Sequence, residues 1–190
     1  INSSNCARDK WIYSIINKFN TDLANTLGNL VNRCVAMTNK YFGGKVPACG
    51  ELLDVDKETL AEITVLRASL EKNLEGYHFR EALKDAMSIA RVGNKYISDT
   101  EPWKVAKTDM ERCATILNVS LQICADLGIA FEPFTPFSAK KLRDMIGSPL
   151  DWEVLGNQEI LPQGHQIGEA QLLFGKIEDA EALKALRVNV

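Results

Sequence analysis

The chain has 190 residues, 46% hydrophobic and 25% charged, which suits a soluble globular protein of one domain, or one domain with a tail. Net charge is −3 and the sequence pI is about 5.5. This excludes a protein that coats nucleic acid through overall basicity, so any RNA role must rest on a local patch and on side-chain recognition.

Ile1–Arg8 lacks an initiating Met and reads as a cut end. From Ile12 onward, Ile16, Phe19, Leu23, Leu27, Leu30, Cys34, Met37 and Tyr41 step by three or four residues. That stripe predicts one long amphipathic helix, stopped before Gly43-Gly44. Pro47 and Gly50 mark a loop, and Asp56 is the expected N-cap of a second helix reaching Glu75 through Leu60, Ile63, Leu66 and Leu70. A third helix is expected from about Phe79 to Ile97, with Phe79, Leu83, Met87 and Ala90 on its inner face. Pro102 prevents its continuation.

A fourth helix is expected from Thr108 or Asp109 to about Phe131. It is apolar almost all round (Ile116, Leu117, Val119, Leu121, Ile123, Leu127, Ile129), the mark of a buried central helix. Pro133 and Pro136 make a corner before a fifth helix over Ser138–Ile146. Residues 147–168 are loop-rich. A short apolar patch (Leu172, Leu173, Phe174, Ile177) and a terminal helix from Glu178 complete the chain. The expected architecture is all-α: an antiparallel bundle of about five helices over 9–147, with a tail over 148–190. The chain shows no convincing β pattern, repeat, signal peptide or run of 18 apolar residues, so neither export nor membrane insertion is expected.

Five cysteines (Cys6, Cys34, Cys49, Cys113, Cys124) contain no C-x-x-C pair. Disulfides and zinc knuckles are poorly supported, and buried thiols in a reducing cytoplasm are expected. His78 and His165 belong to no catalytic or metal motif, and no Walker loop, G-x-S-x-G or H-E-x-x-H occurs. Catalytic residues and metal ligands are therefore not expected.

The informative polar residues lie elsewhere. Asn25, Asn29 and Arg33 recur every fourth residue of the first helix. On an α-helix they form a stripe roughly 100° from the apolar face, advancing about 6 Å per step. Asn carries donors and acceptors, and Arg a hydrogen-bonding fork that also stacks, so the stripe suits the edges of unpaired bases. It equally suits a solvated rim. Trp103, after Pro102, is either a plug for the end of the bundle or a platform for a flipped-out base. Arg91, Lys95, Lys104 and Lys107 supply local positive charge. Asn94 points coreward and is expected to brace the Pro102–Trp103 turn.

In order, Leu23-Ala-Asn-Thr-Leu-Gly-Asn-Leu-Val-Asn-Arg33, Asn94-Lys-Tyr-Ile with Glu101-Pro-Trp103, Phe131-Glu-Pro-Phe-Thr-Pro-Phe137 and Leu173-Phe-Gly-Lys-Ile-Glu178 resemble the C-terminal anticodon-binding domain of bacterial methionyl-tRNA synthetases, from Trp11 to Asp179. The resemblance implies a helical bundle that reads the CAU anticodon loop of methionine tRNA. Asn29 and Arg33 would be the readers, with Asn25 beside them, and Trp103 the ring under the first anticodon base. It also implies that the Leu172–Ile177 strip folds back toward a catalytic domain. The HIGH-like and KMSKS-like motifs are absent. ATP, and zinc in many relatives, would belong to that missing part. Two other readings stay open: a helical scaffold binding a protein partner through Leu172–Ile177, and an enzyme with a cysteine nucleophile such as Cys34 or Cys49.

Overall fold

Among the described residues, helices carry most of the chain up to Ile146. The computed structural model describes residues 3–155 and 159–177, and the terminal helix expected from Glu178 lies outside that range. α1 (Ser3–Phe19) runs without a break into a π-helical segment, Asn20–Gly28, and then into α2 (Asn29–Phe42). The expected long helix is therefore present, with a widened middle. It ends at Gly43, whose φ of +61° is cheap for glycine and lets its N–H return to the Thr38 carbonyl.

α3 (Asp54–Glu75) and α4 (Phe79–Thr100) lie against each other. A single-turn α5 (Pro102–Val105) leads to α6 (Met110–Ala130), followed by α7 (Pro136–Ile146) and a short 3-10 turn at Trp152–Val154. Among the described residues there is no strand, only an isolated bridge between Lys45 and Gln166. The fold is an all-α bundle of five long helical units plus the short α5.

α6 is the hub, meeting α2, α3, α4, α5 and α7. By length and composition it could cross a membrane, but it is buried inside the bundle. Its polar residues are used there. Asn118 donates to the Pro47 carbonyl, Asp126 meets Arg67 at 3.2 Å, and the Gln122 carbonyl oxygen accepts from the N–H groups of Ile160 and Leu161. The Gln122 amide returns a bond to the Leu161 carbonyl at 2.8 Å. These bonds satisfy loop backbone that would otherwise be buried unpaired, at a cost of about 1–3 kcal/mol per group. They also seat the tail, whose Ile160, Leu161, Ile167, Leu173 and Phe174 join the core.

Two local expectations change. α3 starts two residues before Asp56, with Leu53 in the N-cap position. Asp56 sits inside the first turn, fully buried, and accepts the Leu53 N–H at 2.8 Å. On α4, Phe79 and Leu83 are exposed. The inner face holds Met87 and Ala90 as expected, together with Ala82, Ala86, Ile89, Gly93, Tyr96 and Ile97. Small residues win there because α2 and α6 come close: a Cβ on Gly93 would lie 2.8 Å from a Leu30 methyl and 3.1 Å from Ile123.

Candidate nucleic-acid interface

The site forms where the long helix meets the turn after α4. Glu101 ends α4 in the left-handed region, φ +43°, a strained choice for a residue with a side chain. Its N–H closes on the Ile97 carbonyl, and its own carbonyl accepts from Lys104 and Val105. This reversal puts Pro102 in the first position of α5, where the missing N–H costs nothing. Pro102 is buried, and its carbonyl accepts the Cys113 thiol at 3.6 Å. Trp103 follows, half-buried against the core, so it is partly plug and partly exposed surface.

Across from it, α2 carries Asn29, exposed, and Arg33 one turn later. The Arg33 guanidinium lies over the Trp103 ring at 5.0 Å from its centroid. Residues 70 positions apart thus meet in a cation–π contact, worth about 0.5–1 kcal/mol at an exposed position. Lys104 pairs with Glu101 at 2.7 Å, which partly neutralises it, while Lys95 and Lys107 are exposed.

Asn25 is also exposed, but it lies within the π-helical segment. A π-helix bonds i to i+5 and turns less per residue, so Asn25 leaves the straight stripe that α-helical spacing implied. Asn29 and Arg33 keep their α-helical relation. The segment is held by side chains from several directions. The Thr26 hydroxyl donates to the Thr21 carbonyl at 2.9 Å, itself an i to i−5 bond. The Thr26 carbonyl in turn accepts the Asn94 amide at 2.8 Å. Asp22 reaches Arg91 at 3.6 Å.

Asn94 is therefore a brace, but its target is the π segment of the long first helix and its own helix at Ala90, not the Pro102–Trp103 turn. The Thr26 carbonyl, toward which the Asn29 N–H is also directed, thus takes a second bond from the neighbouring helix.

The tail completes the clamp. Phe174 meets Phe19 edge-on at 6.0 Å, and a Cβ on Gly28 would touch its ring at 3.5 Å. The Asn20 side chain exchanges two 2.9 Å hydrogen bonds with the backbone of Ile177. Of the expected apolar strip, Leu173 and Phe174 face inward, and Leu172 and Ile177 remain exposed. Sequence reasoning did not identify Asn20, Thr26 and Glu101. The run Asn20-Thr-Asp22, poor helix formers together, was the available signal of an irregular helix.

Behind the site stands a buried polar network. Asp56 receives Arg112 through a two-pronged pair at 2.6 and 2.7 Å and the Tyr96 hydroxyl at 2.6 Å. Burial alone would raise the Asp56 pKa. The bonds from Arg112, Tyr96 and Leu53 outweigh it and hold the carboxyl below its ordinary range. Burial and the Asp56 carboxylate push the Tyr96 phenol far up.

Three thiols, Cys49, Cys113 and Cys124, are shifted away from activation. Cys49 is pushed up by local desolvation, Asp56 and Glu159. Cys113 is raised by burial and Asp109, and Cys124 by its bond to Cys34 and by burial. A nucleophilic cysteine needs the opposite shift. Among the described residues no three metal-ligating side chains gather.

Comparison with known proteins identifies the family. Residues 46–186 match the model of the anticodon binding domain of methionyl tRNA ligase. The methionine–tRNA ligase of Bacteroides fragilis is 57% identical over 162 residues, and that of Porphyromonas gingivalis is 55% identical over 163. Each match covers 85% of this chain and 24% of the relative, so the chain spans about a quarter of their length. Among solved structures, the free methionyl-tRNA synthetase of Mycobacterium tuberculosis superposes with a TM-score of 0.82 at 28% identity, covering 87% of this chain and 34% of that one. The same enzyme bound by methionyl-adenylate gives 0.80 at 28% identity, over 86% and 33%. The chain belongs to the family of methionyl-tRNA ligase anticodon-binding domains.

Proposed function

We propose that the chain reads the CAU anticodon loop of methionine tRNA on behalf of a methionine–tRNA ligase. The observation that carries this is the Arg33–Trp103 contact, with Asn29 exposed one turn before Arg33 on the same helix. Arg33 holds the place over the ring that an unpaired base would take. When a base stacks on Trp103, the guanidinium swings to a base edge and exchanges a cation–π contact for a hydrogen-bonded fork. Asn29 reads a second edge, and Asn25 flanks the loop from the wider π turn. Asn94 and Pro102 fix the two halves of the site, and Lys95, Lys104 and Lys107 hold phosphates.

Specificity comes from buried partners left unpaired by a wrong base, about 1–3 kcal/mol each. The chemistry of charging belongs to the rest of the protein, which would activate methionine with ATP in the cytoplasm. That part would also hold any zinc. The outward Leu172 and Ile177 would meet the catalytic domain, while Leu173 and Phe174 stay on the bundle.

Trp103→Ala should weaken binding of a CAU hairpin by about 10- to 100-fold, from a stacking energy of roughly 1–3 kcal/mol. Unchanged affinity removes the platform. Equal binding of a scrambled loop by the unmodified protein sinks the reading and favours a protein-binding scaffold.

A further inference from the structure

α4 has a solvent-facing ridge of which only Lys95 has a role at the loop. At about 100° per residue, Arg80, Lys84, Ser88, Arg91, Lys95 and Ser98 fall within an arc of roughly 80°. From Arg80 to Lys95 the ridge extends about 22 Å along the helix. Arg80, Lys84, Arg91 and Lys95 are all exposed. Among the described residues Arg80, Lys84 and Lys95 enter no ion pair, and Arg91 reaches only Asp22, at 3.6 Å.

Acids cover only one end of the row: Glu58 and Glu62 of α3 and Asp99 share a pocket with Lys95, without an ion pair to it. Glu81 and Asp99 lie at the flank of the arc, and Asp85 is turned toward α3, where it accepts from Asn73 at 2.8 Å. Arg80 with Lys84, and Arg91 with Lys95, are like-charge pairs four residues apart. Such pairs disfavour a helix. Only Arg91 has a folding role here, through Asp22; in a chain of net charge −3, a row of cations otherwise without partners points to an anionic ligand.

The ridge runs toward the C-terminal end of α4, the end that turns through Glu101 into Trp103. We propose that it is a track for the phosphate backbone of base-paired RNA, the stem that continues from a loop held at Trp103. Phosphate contacts position a duplex without reading its sequence, so the ridge would set the angle of the stem while Asn29, Arg33 and Trp103 read the loop. This rests on the anticodon reading and adds a second, sequence-independent surface to it.

The test is a charge reversal at the end of the ridge remote from Trp103, R80E/K84E, in the full-length protein. The probes are a CAU hairpin with a paired stem and an unpaired CAU oligonucleotide. The double variant should bind the hairpin at least tenfold more weakly at low salt. Its plot of log affinity against log salt should be shallower by about 1.5–2, two phosphates' worth. Binding of the unpaired oligonucleotide and the preference for CAU over a scrambled loop should be unchanged, and R80K/K84R should behave as the unmodified protein. Hairpin affinity and salt slope unaltered by R80E/K84E overturn the proposal. An equal loss for hairpin and unpaired oligonucleotide overturns the assignment to paired RNA. If the unmodified protein shows no CAU preference, the anticodon reading fails. The slope difference between it and the double variant still decides the ridge.

Discussion

Two polar regions of this molecule use similar groups to opposite ends. Around Asp56, a carboxylate, a phenol and a guanidinium satisfy one another completely inside the bundle. At the candidate interface, Asn25 and Asn29 are exposed, and the Arg33 guanidinium rests over the Trp103 ring. The first group ties α3, α4 and α6 together, and the second is kept available. A polar side chain with all its bonds made inside the protein belongs to the scaffold. One held in position with bonding capacity to spare belongs to the ligand.

The largest test of that contrast is Asp56→Ala. Breaking a buried pair and stranding Arg112 should cost about 3–5 kcal/mol of folding stability, measured by urea unfolding. Discrimination between CAU and scrambled hairpins by the folded fraction should survive. If discrimination is lost while stability holds, the two regions are not separate. Acid adds a second handle on the same group. The folded Asp56 pKa is depressed, so its contribution is full above the unfolded carboxylate pKa and is lost as pH falls through the lower folded value. The Asp56→Asn variant should show a flatter loss of stability with acid over that window.

Arg33→Lys probes the other region. Lysine keeps the charge but not the planar fork, and affinity for the CAU hairpin should fall about tenfold, roughly 1.5 kcal/mol. The melting temperature should barely move. A large drop in melting temperature would assign Arg33 to the scaffold.

Asn94→Ala should cost about 1 kcal/mol of stability, well short of Asp56→Ala, as its bonds to the Thr26 and Ala90 carbonyls are lost. Its signature is local: faster amide exchange across residues 20–28 than elsewhere in the bundle. Uniform exchange changes would mean that Asn94 does not specifically hold the π segment.

Most of the fold was legible because it rests on local signals. The stripe from Ile12 to Tyr41, the Gly43 stop, the Asp109 cap and the Gly147 stop each act within a turn or two of sequence. Asp109, for instance, accepts the Arg112 N–H at 2.9 Å, as an N-cap should. The irregular parts depend on distant partners. The π segment is held by Asn94 and faced by Phe174, and Asp56 is buried because Tyr96 and Arg112 arrive from two other helices. Phe79 and Leu83 fit an amphipathic pattern but lost the inner face to alanines and glycine that let helices approach. At the site, Trp103 and Arg33 were each recognisable by chemistry, whereas their contact required the strained turn at Glu101.

The π segment has a mechanical consequence for how the protein can change over time. A continuous α-helix locks the rotational phase of everything before a point to everything after it. Here the widened turns between Asn20 and Gly28 absorb the difference, like a coupling between two shafts. Gain or loss of one residue within them would rotate α1 by less than the roughly 100° of an α-helical step. Asn29 and Arg33 would stay where they are. The Asn29–Arg33 face can thus be kept while the helix before it is re-aimed.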